Sequence, residues 1–392
     1  MREGWRWFGP NDPVSLGDIR QAGAKEIVSA LHQVAIGDAW TVRAVEERKA
    51  IVETDAEAPL TWTVVESIPI PDDVKRHGGK ARESIQAWIA SMEAVAACGI
   101  RIICYNFMPI IDWCRTDLDW KLSNGATALR FDQTRFAAFD LHILARPGAS
   151  HEYSEEARLA AKRVYEMMDH EDIDRLIKTM ANALPGSTSE PLTIEAFRAK
   201  LRAYRDIDSG VLRRHLIEFL EKVAPVAEAL DVTLTLHPDD PPRPLFGLPR
   251  IASSAEDYAA LFDAVPSKAN GMCFCTGSLG VRADNDVSAI ARRFAPRIAF
   301  AHLRSTKREP DGSFFESSHL DGDIDMIAVL KILLAEDRRR NEHKKIVFRP
   351  DHGHRMLGDL AADNRTNPGY TAIGRLKGLA ELRGAIRALS HD

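Results

Sequence analysis

The amino-acid sequence predicts a (β/α)8 TIM barrel, in which eight parallel strands alternate with helices. Eight short runs are rich in Val, Ile, Phe and Trp, as in strands buried on both faces of a parallel sheet. Helical patterns separate most of these runs, which is typical of a barrel or of a doubly wound sheet. No Gly-rich dinucleotide-binding sequence follows the first strand, and this argues against the doubly wound sheet. The predicted strands are Trp5–Phe8, Glu26–Leu31, Thr61–Ser67, Ile100–Tyr105, Val232–Leu236, Met272–Cys275, Ile298–His302 and Ile346–Arg349.

The intervening segments have amphipathic patterns that predict helices. Ala81–Cys98 (ARESIQAWIASMEAVAAC) is followed by Gly99, a residue type that commonly ends helices. The other predicted helices are Ala44–Ala56, Gly210–Leu230, Ser254–Val265, Asp284–Phe294, Asp323–Glu336 and Ile373–Leu389.

One stretch interrupts the simple alternation between the fourth and fifth strands. Arg146–Asp208 is charged and mostly helical, with a break at Leu184–Pro191 (LPGSTSEP). Because it follows a strand, it should emerge on the face of the barrel that carries the active site. We interpret residues 1–392 as a single catalytic domain and residues 146–208 as a helical insertion near the barrel mouth. An outer helical layer without a catalytic role is the alternative.

The composition is that of a globular protein and excludes some classes of function. Of the 392 residues, 45% are hydrophobic and 28% are charged, and the formal net charge is −5. General nucleic-acid binding, which needs a basic surface, is therefore not expected. The five cysteines form no disulfide-like pattern, and no apolar core of a signal peptide or run as long as a membrane span is present. These features predict a cytoplasmic protein with reduced thiols.

Four residues that can bind a metal close four consecutive predicted strands. They are His237 in TLTLH, Cys275 in MCFC, His302 in IAFAH and Asp351 in IVFRPD. Strand ends of this kind converge at one face of a barrel, so the sequence predicts a metal site there. Taken singly, such a His is usually a hydrogen-bonded polar residue, such a Cys a small core residue, and Asp351 a turn cap. Cys273 lies two residues deeper and is assigned to the barrel interior.

The donor types limit the choice of metal. One thiolate, two imidazoles and one carboxylate suit Zn²⁺, Fe²⁺ or Co²⁺, with Mn²⁺ less expected on ligand softness alone. An enzyme must also leave a position for its substrate, which favours Fe²⁺ or Mn²⁺ over a closed tetrahedral zinc site.

Possible proton carriers and substrate-binding residues lie near the same strand ends. His352 and His354 follow Asp351, and Tyr370 lies in NPGYTAIG, with support of a ligand and helix packing as the alternative roles. A cluster of cations could bind a carboxylate, although at least two of them are expected to be surface charges or members of structural ion pairs: Arg304, Lys307, Arg349 and Arg355. The earlier strand ends offer further partners for hydroxyl groups, with structural roles equally open: His32, Glu66 and Asn106.

Several segments together resemble the mannonate dehydratase family, which is related to the xylose-isomerase-like barrels. They are WRWFGPNDPVSL, CYNFMPIIDWCRT, LHPDDPP, GLPRI, MCFCTGSLG, FAHLRSTK, FFESSHLDGDIDM, RPDHGH and NPGYTAIGRLKGLAELRGAI. The resemblance covers essentially the whole chain. It implies dehydration of D-mannonate to 2-dehydro-3-deoxy-D-gluconate in hexuronate (glucuronate) breakdown, and a homodimer.

The resemblance also implies roles for individual residues. A Mn²⁺ or Fe²⁺ ion would be bound by His237, Cys275, His302 and Asp351. The catalytic His and Tyr of the family correspond to His352 in RPDHGH and Tyr370 in NPGYTAIG. The residues alone do not say which of these two is the base and which the acid. Independently of the resemblance, the positions near the strand ends make Asn106, Arg304, Lys307 and Arg349 the candidate substrate-binding residues.

Three other functions fit the same general features. A xylose-isomerase-like isomerase or epimerase would be expected to use more carboxylates at the strand ends. A metal-dependent phosphodiesterase or DNA-repair nuclease would need a more basic surface. A non-catalytic sugar-acid binding protein would not need His352 and Tyr370, and a turnover assay distinguishes it.

Overall fold

The computed structural model describes residues 1–54, 57–181, 193–361 and 363–390. In these residues the strands are β1 (Arg2–Arg6), β2 (Glu26–Ser29), β3 (Thr61–Glu66), β4 (Ile102–Tyr105), β5 (Asp117–Lys121), β6 (Thr127–Phe131), β7 (Thr233–Leu236), β8 (Asn270–Cys275), β9 (Ile298–Leu303), β10 (Ser305–Arg308), β11 (Phe314–Ser317) and β12 (Val347–Pro350). Eight of them form a closed barrel in the order β1-β12-β9-β8-β7-β4-β3-β2, with parallel neighbours throughout. The predicted (β/α)8 barrel is confirmed, and its strands are the eight that the sequence predicts.

Helices surround the barrel, and several begin at polar caps. In the described residues they are α1 (Leu16–Ala22), α2 (Val42–Val52), α3 (Asp72–Arg76), α4 (Ala81–Ala97), α5 (Gln133–Ala138), α6 (Glu155–Met167), α7 (His170–Ala181), α8 (Ile194–Ala203), α9 (Ser209–Ala229), α10 (Ala255–Ala264), α11 (Thr276–Gly280), α12 (Val287–Phe294), α13 (Met326–Arg338) and α14 (Ala372–Ser390). The helices predicted to begin at Asp284 and Asp323 begin later, because the side chains of Asp286 and Asp325 accept hydrogen bonds from the first turn. No helix in the described ranges combines the length and apolar character needed to cross a membrane.

The first strand begins earlier than the sequence pattern predicts. Trp5 is its first large apolar residue, but Arg2 already pairs with Val347 of β12. The polar residues at the start of β1 are accommodated by ion pairs, such as the one between Arg2 and Glu26 on the neighbouring strand at 2.6 Å. Charge pairing across strands therefore extends the strand beyond its apolar part.

The barrel encloses a small apolar layer, and a larger one lies between the strands and helices. The interior cluster consists of Val28, Val64, Cys104, Cys273, Phe300 and Val347. Cys273 is fully buried there, which confirms its assignment to the barrel interior. This apolar layer fills the barrel below the carboxyl ends of the strands, so the polar side chains at those ends lie on top of it.

A second sheet that the sequence interpretation omitted stands beside the barrel. Its four antiparallel strands have the order β10-β11-β6-β5 and come from the segments after the fourth and seventh barrel strands. Those segments follow the carboxyl ends of barrel strands, so this sheet is a wall next to the strand ends. Its β11 carries the buried carboxylate of Glu316.

The segment predicted as an insertion contains α6, α7 and α8, whereas its Leu184–Pro191 break lies outside the described residues. Leu176 of α7 and Phe197 of α8 are fully buried in a second apolar cluster. The ring of Phe197 is 5.1 Å from that of Phe246, which lies in the segment after barrel strand β7. The insertion is thus packed onto a segment that follows a strand end. Its role as a cover of the barrel mouth stays a prediction.

An ion pair attaches this insertion to the barrel, and its loss should lower stability. The carboxylate of Asp72 accepts hydrogen bonds from Lys200 Nζ and Tyr204 Oη, both at 2.8 Å. Burial raises the pKa of Asp72, but Lys75, Lys200 and Tyr204 outweigh it and lower that pKa to about 2. We expect Asp72→Asn to reduce the free energy of unfolding at pH 7 by roughly 1 kcal/mol, since the pair is partly exposed to solvent.

The pH dependence of that difference follows from the lowered pKa. A depressed carboxyl pKa stabilises the fold above the unfolded-state value near 3.8 and loses its effect as pH falls towards 2. Denaturant unfolding of both proteins should therefore show a constant difference from pH 7 to about pH 5 that shrinks below pH 4. Asp206→Asn is the control, because the pair between Asp206 and Arg205 is largely exposed. An equal loss in both variants would contradict the anchoring role.

Candidate active site

The four predicted metal ligands lie at the carboxyl ends of four adjacent barrel strands. His237 directly follows β7, Cys275 ends β8, His302 is the penultimate residue of β9, and Asp351 directly follows β12. The parallel register sets Cys275 opposite His302. Because these parallel strands end at the same face of the barrel, side chains from distant parts of the chain meet there.

Three of these residues form a compact donor group. One donor atom from each of His237, Cys275 and His302 lies within 4.8 Å of the other two. His237 Nε2 and His302 Nδ1 are 3.1 Å apart. Two nitrogens that bind one ion at about 2.1 Å are roughly 3.0 to 3.5 Å apart, so the spacing suits a shared ion. The other nitrogen of His237, Nδ1, is 2.6 Å from the carbonyl oxygen of Pro238. A proton on Nδ1 would leave Nε2 as the ligand atom.

The charges in this group also fit a cation. Burial raises the pKa of Cys275, but Arg304, His237 and His302 outweigh it and hold that pKa well below its usual value. Burial lowers the pKa of His237, whereas the hydrogen bond and charge of Cys275 raise it to about 10. The pKa of His302 is also raised above its usual value, against the effect of burial and of Arg349. A buried thiolate therefore favours positive charge on the two imidazoles beside it. A metal ion could supply that charge in place of the protons.

Asp351 stands beside this group with its oxygens directed at arginines. Its Oδ2 is 3.9 Å from Cys275 Sγ and 2.8 Å from Nε of Arg304, and its Oδ1 accepts a hydrogen bond from Arg349. Burial raises the pKa of Asp351, but Arg349, His352, His302 and Arg304 keep it well below the usual range. Asp351 is thus an ionised neighbour of the donor group, and its role as a ligand stays a prediction.

His352 is oriented by a carboxylate that the sequence interpretation did not select. Its Nδ1 is 3.0 Å from Oε1 of Glu316, and its Nε2 is 3.9 Å from Oδ1 of Asp351. Burial raises the pKa of Glu316, but Arg304, His352 and Arg115 lower it below its usual value, so the carboxylate is ionised. An ionised carboxylate on Nδ1 favours the proton there and leaves Nε2 as an acceptor towards the metal-binding residues.

Tyr370 stands next to His352. The two rings meet edge to face with centroids 5.2 Å apart, and Phe8 packs on Tyr370 at 4.8 Å. A side chain at Gly369, where φ is 78°, would press against the His352 ring, so glycine permits this approach. Burial and the charge of Asp351 raise the pKa of Tyr370 above its usual value, which keeps the phenol protonated at neutral pH.

Two of the candidate substrate-binding arginines are fully engaged with carboxylates. Arg304 and Arg349 are each only 1% exposed. Arg304 Nη1 is 2.6 Å from Glu316, and its Nη2 bonds Asp240. The Nη2 and Nε atoms of Arg349 donate to Glu66 at 2.9 and 3.2 Å. Both arginines therefore position the acidic residues of the site, and direct contact with a substrate stays a prediction for each.

The other cationic and amide candidates have contacts with residues outside the donor group. Lys307 is exposed on β10, opposite Phe315 in the antiparallel sheet. Asn106 directly follows β4, and its Nδ2 is 3.5 Å from Asp112. Arg355 donates to the backbone carbonyl of Asp359 at 2.7 Å. Substrate binding by Lys307 and Asn106 stays a prediction, and Arg355 has the structural role that the sequence left open.

The two other histidines that the sequence offered as candidates, His354 and His32, contact structural partners. His354 Nε2 is 2.9 Å from the carbonyl oxygen of Glu316, which supports the residue that orients His352. His32 Nε2 is 3.3 Å from Arg6, and burial together with Arg6 lowers the pKa of His32 to about 3. His32 is therefore neutral. Among the early strand-end candidates, Glu66 contacts the donor group, with a carboxylate oxygen 3.5 Å from His302 Nε2.

The residues missed from the sequence form one buried network. Arg115 has no exposed surface and contacts Asp240 at 2.7 Å and Glu316 at 2.8 Å. Their positions in the sequence could have identified two of these residues. Glu316 lies in a hairpin that directly follows the seventh barrel strand, and Asp240 follows His237 closely. Loops after barrel strands are where active-site residues occur.

Comparisons with known proteins agree with this architecture. The family model described as "D-mannonate dehydratase (UxuA)" matches residues 1–392. A protein of Brucella canis named mannonate dehydratase is 63% identical over 99% of this chain and 97% of its own length. One from Chromohalobacter salexigens with the same name is 50% identical over 100% of this chain and 99% of its own.

Solved structures give the same result. The crystal structure of mannonate dehydratase from Streptococcus suis serotype2 has a TM-score of 0.77 and 31% identity, covering 100% of this chain and 95% of that one. A structure of L-ribulose 3-epimerase, at a TM-score of 0.50 and 14% identity over 100% of this chain and 96% of that one, shares the fold alone. Full-length similarity at this level establishes membership, and the chain belongs to the D-mannonate dehydratase family.

Proposed function

We propose that this chain dehydrates D-mannonate to 2-dehydro-3-deoxy-D-gluconate and water, with one divalent metal ion bound by His237, Cys275 and His302. The observation that carries the proposal is the convergence of these three donors within 4.8 Å. A histidine oriented by a carboxylate stands beside them. Relatives that match the full chain are named mannonate dehydratase.

The donor set supports Mn²⁺ or Fe²⁺ with Asp351 as the fourth ligand. Asp351 is already ionised and 3.9 Å from the thiol of Cys275. When bound, the ion would supply positive charge to the substrate oxygens on which negative charge develops. An ion that accepts five or six ligands would keep positions open for those oxygens, which favours Mn²⁺ or Fe²⁺ over zinc.

The balance of charge supports an anionic substrate. In the described part of the site four carboxylates are matched by four guanidinium groups: Glu66, Asp240, Glu316 and Asp351 with Arg6, Arg115, Arg304 and Arg349. The thiolate of Cys275 adds one negative charge. A divalent cation that replaces the extra protons on His237 and His302 would leave a net charge of about +1. A sugar acid with one carboxylate would neutralise this charge, whereas a neutral sugar would leave it buried.

The surroundings of His352 and Tyr370 support different roles for the two side chains in proton transfer. Dehydration removes the proton from C2 and the hydroxyl group from C3, and this hydroxyl leaves as water after taking up a proton. His352, whose Nδ1 faces the Glu316 carboxylate, has its Nε2 on the side of Asp351 and is proposed as the base. Tyr370 keeps its proton, since burial raises its pKa, and is proposed as the acid.

An assay of 2-keto-acid formation tests this proposal. The chain, loaded with Mn²⁺ or Fe²⁺, is expected to convert D-mannonate to a 2-keto-3-deoxy acid and to leave D-gluconate, its C2 epimer, unchanged. Rearranged sugar without loss of water would instead indicate the isomerase or epimerase alternative. Tight binding of D-mannonate without any product would indicate a sugar-acid binding protein.

A homodimer, a cytoplasmic location and a role in hexuronate breakdown remain predictions from the resemblance. Sedimentation of the purified chain tests the first of these. The candidate substrate contacts, which rest on their positions near strand ends, also remain predictions: Asn106, Arg304, Lys307 and Arg349.

A further inference from the structure

We propose that the chain has a second cation site below the first, in which Cys104, Cys273 and His302 bind a thiophilic divalent ion such as Zn²⁺ or Cd²⁺. One donor atom from each of these three residues lies within 4.8 Å of the other two. All three are buried, with exposures of 1%, 0% and 1%. Binding there does not depend on the reaction proposed above.

The spacing of the donors fits a tetrahedral ion. Cys273 Sγ is 3.4 Å from His302 Nε2. A thiolate at about 2.3 Å and an imidazole nitrogen at about 2.05 Å from one tetrahedral zinc ion are roughly 3.6 Å apart. The two atoms are therefore already near the separation that a shared ion requires. Cys104 on β4 completes the group from the opposite side of β7.

The imidazole of His302 joins the two sites through its two nitrogens. Nδ1 lies 3.1 Å from His237, on the side of the proposed catalytic ion. Nε2 faces Cys273 and is 3.5 Å from a carboxylate oxygen of Glu66. Glu66 is thus close enough to be a fourth ligand of the lower ion, while it also pairs with Arg349.

The chemistry of the lower group selects its ion. Two thiolates and one imidazole favour soft or borderline ions such as Zn²⁺ and Cd²⁺, and they disfavour Mn²⁺. Binding would release the protons of the two thiols to solvent, because the thiolate is the ligand, and with both ions bound His302 would also release its remaining N–H proton and bridge them as an imidazolate. The structural alternative is that both cysteines serve only as small apolar residues of the interior cluster, where they pack with Val64 and Phe300.

Titration with cadmium ions tests the second site, because each cadmium–thiolate bond adds ultraviolet charge-transfer absorption. Excess cadmium should displace Mn²⁺ from the upper site and also fill the lower one, so that three thiolates of each chain bind cadmium. Cys275→Ser removes one of these and should keep about two thirds of the absorption. Cys104→Ala/Cys273→Ala removes two and should keep about one third, with one bound cadmium fewer per chain.

Cys114→Ala is the matched control, since Cys114 is buried in the second apolar cluster, away from both donor groups. It should keep the full absorption. If Cys275→Ser abolishes the absorption and the double variant keeps all of it, the second site does not exist. The Cys275→Ser measurement leaves the interior thiols in place, so it decides the matter even if the double variant fails to fold. Turnover is not the readout, so a failed dehydration assay would not affect this result.

Discussion

Cys275→Ser is expected to remove the catalytic metal and the dehydratase activity together. The buried thiolate of Cys275 lies in the donor group with His237 and His302, and Arg304 helps to keep it ionised. A serine hydroxyl stays neutral near pH 7 and is a harder, weaker donor. Loss of residues that merely support ligands costs 10- to 100-fold in metal affinity, so loss of a ligand should cost at least about 100-fold.

Elemental analysis after dialysis measures the bound metal, and 2-keto-acid formation measures activity at limiting and at saturating Mn²⁺. Activity should fall about 100-fold or more at limiting metal and recover only in part at saturation. Cys114→Ser controls for the cost of a hydroxyl group at a buried cysteine, because Cys114 is also fully enclosed. Full metal content and full turnover in the Cys275→Ser protein would refute the ligand assignment.

The sequence was sufficient to predict those site residues that occupy the carboxyl ends of the barrel strands. His237, Cys275 and His302 each close or nearly close a strand, and parallel strands end at one face, so strand assignment alone brings them together. The detailed position of Asp351 could not be predicted in this way. Its oxygens are directed by Arg304 and Arg349, and side-chain pairing has no periodic signal along the chain.

The second sheet had a signal that the barrel pattern concealed. The dipeptides Asn124-Gly125 and Asp311-Gly312 are typical of tight turns between antiparallel strands, and both glycines have positive φ, 86° and 89°. An interpretation that assigns every strand to the barrel treats such segments as loops. Glu316 was missed with its strand, because a single Glu in an unassigned loop is normally a surface charge.

Tyr370→Phe is expected to abolish dehydration while leaving removal of the C2 proton intact. The proposed acid is lost, but His352, its partner Glu316 and the metal-binding residues remain. General acid catalysis contributes about 10²- to 10⁴-fold, so kcat should fall by that range with metal content unchanged. In D2O the variant should still remove the C2 proton of D-mannonate and return a deuteron, so the recovered substrate gains deuterium at C2. Tyr204→Phe, at a buried tyrosine in the insertion, loses a hydrogen bond to Asp72 but should keep the turnover rate of the unchanged protein.

His352→Gln should show the opposite behaviour, with neither product nor deuterium exchange, because glutamine cannot accept the proton. The two variants separate roles that a simple loss of activity cannot, since both abolish turnover. Exchange in His352→Gln with none in Tyr370→Phe would reverse the assignment of base and acid. Turnover of Tyr370→Phe at the unchanged rate would make Tyr370 a packing residue against Phe8. The exchange result therefore tests whether the contact between Glu316 and Nδ1 of His352 makes that histidine the base of the site.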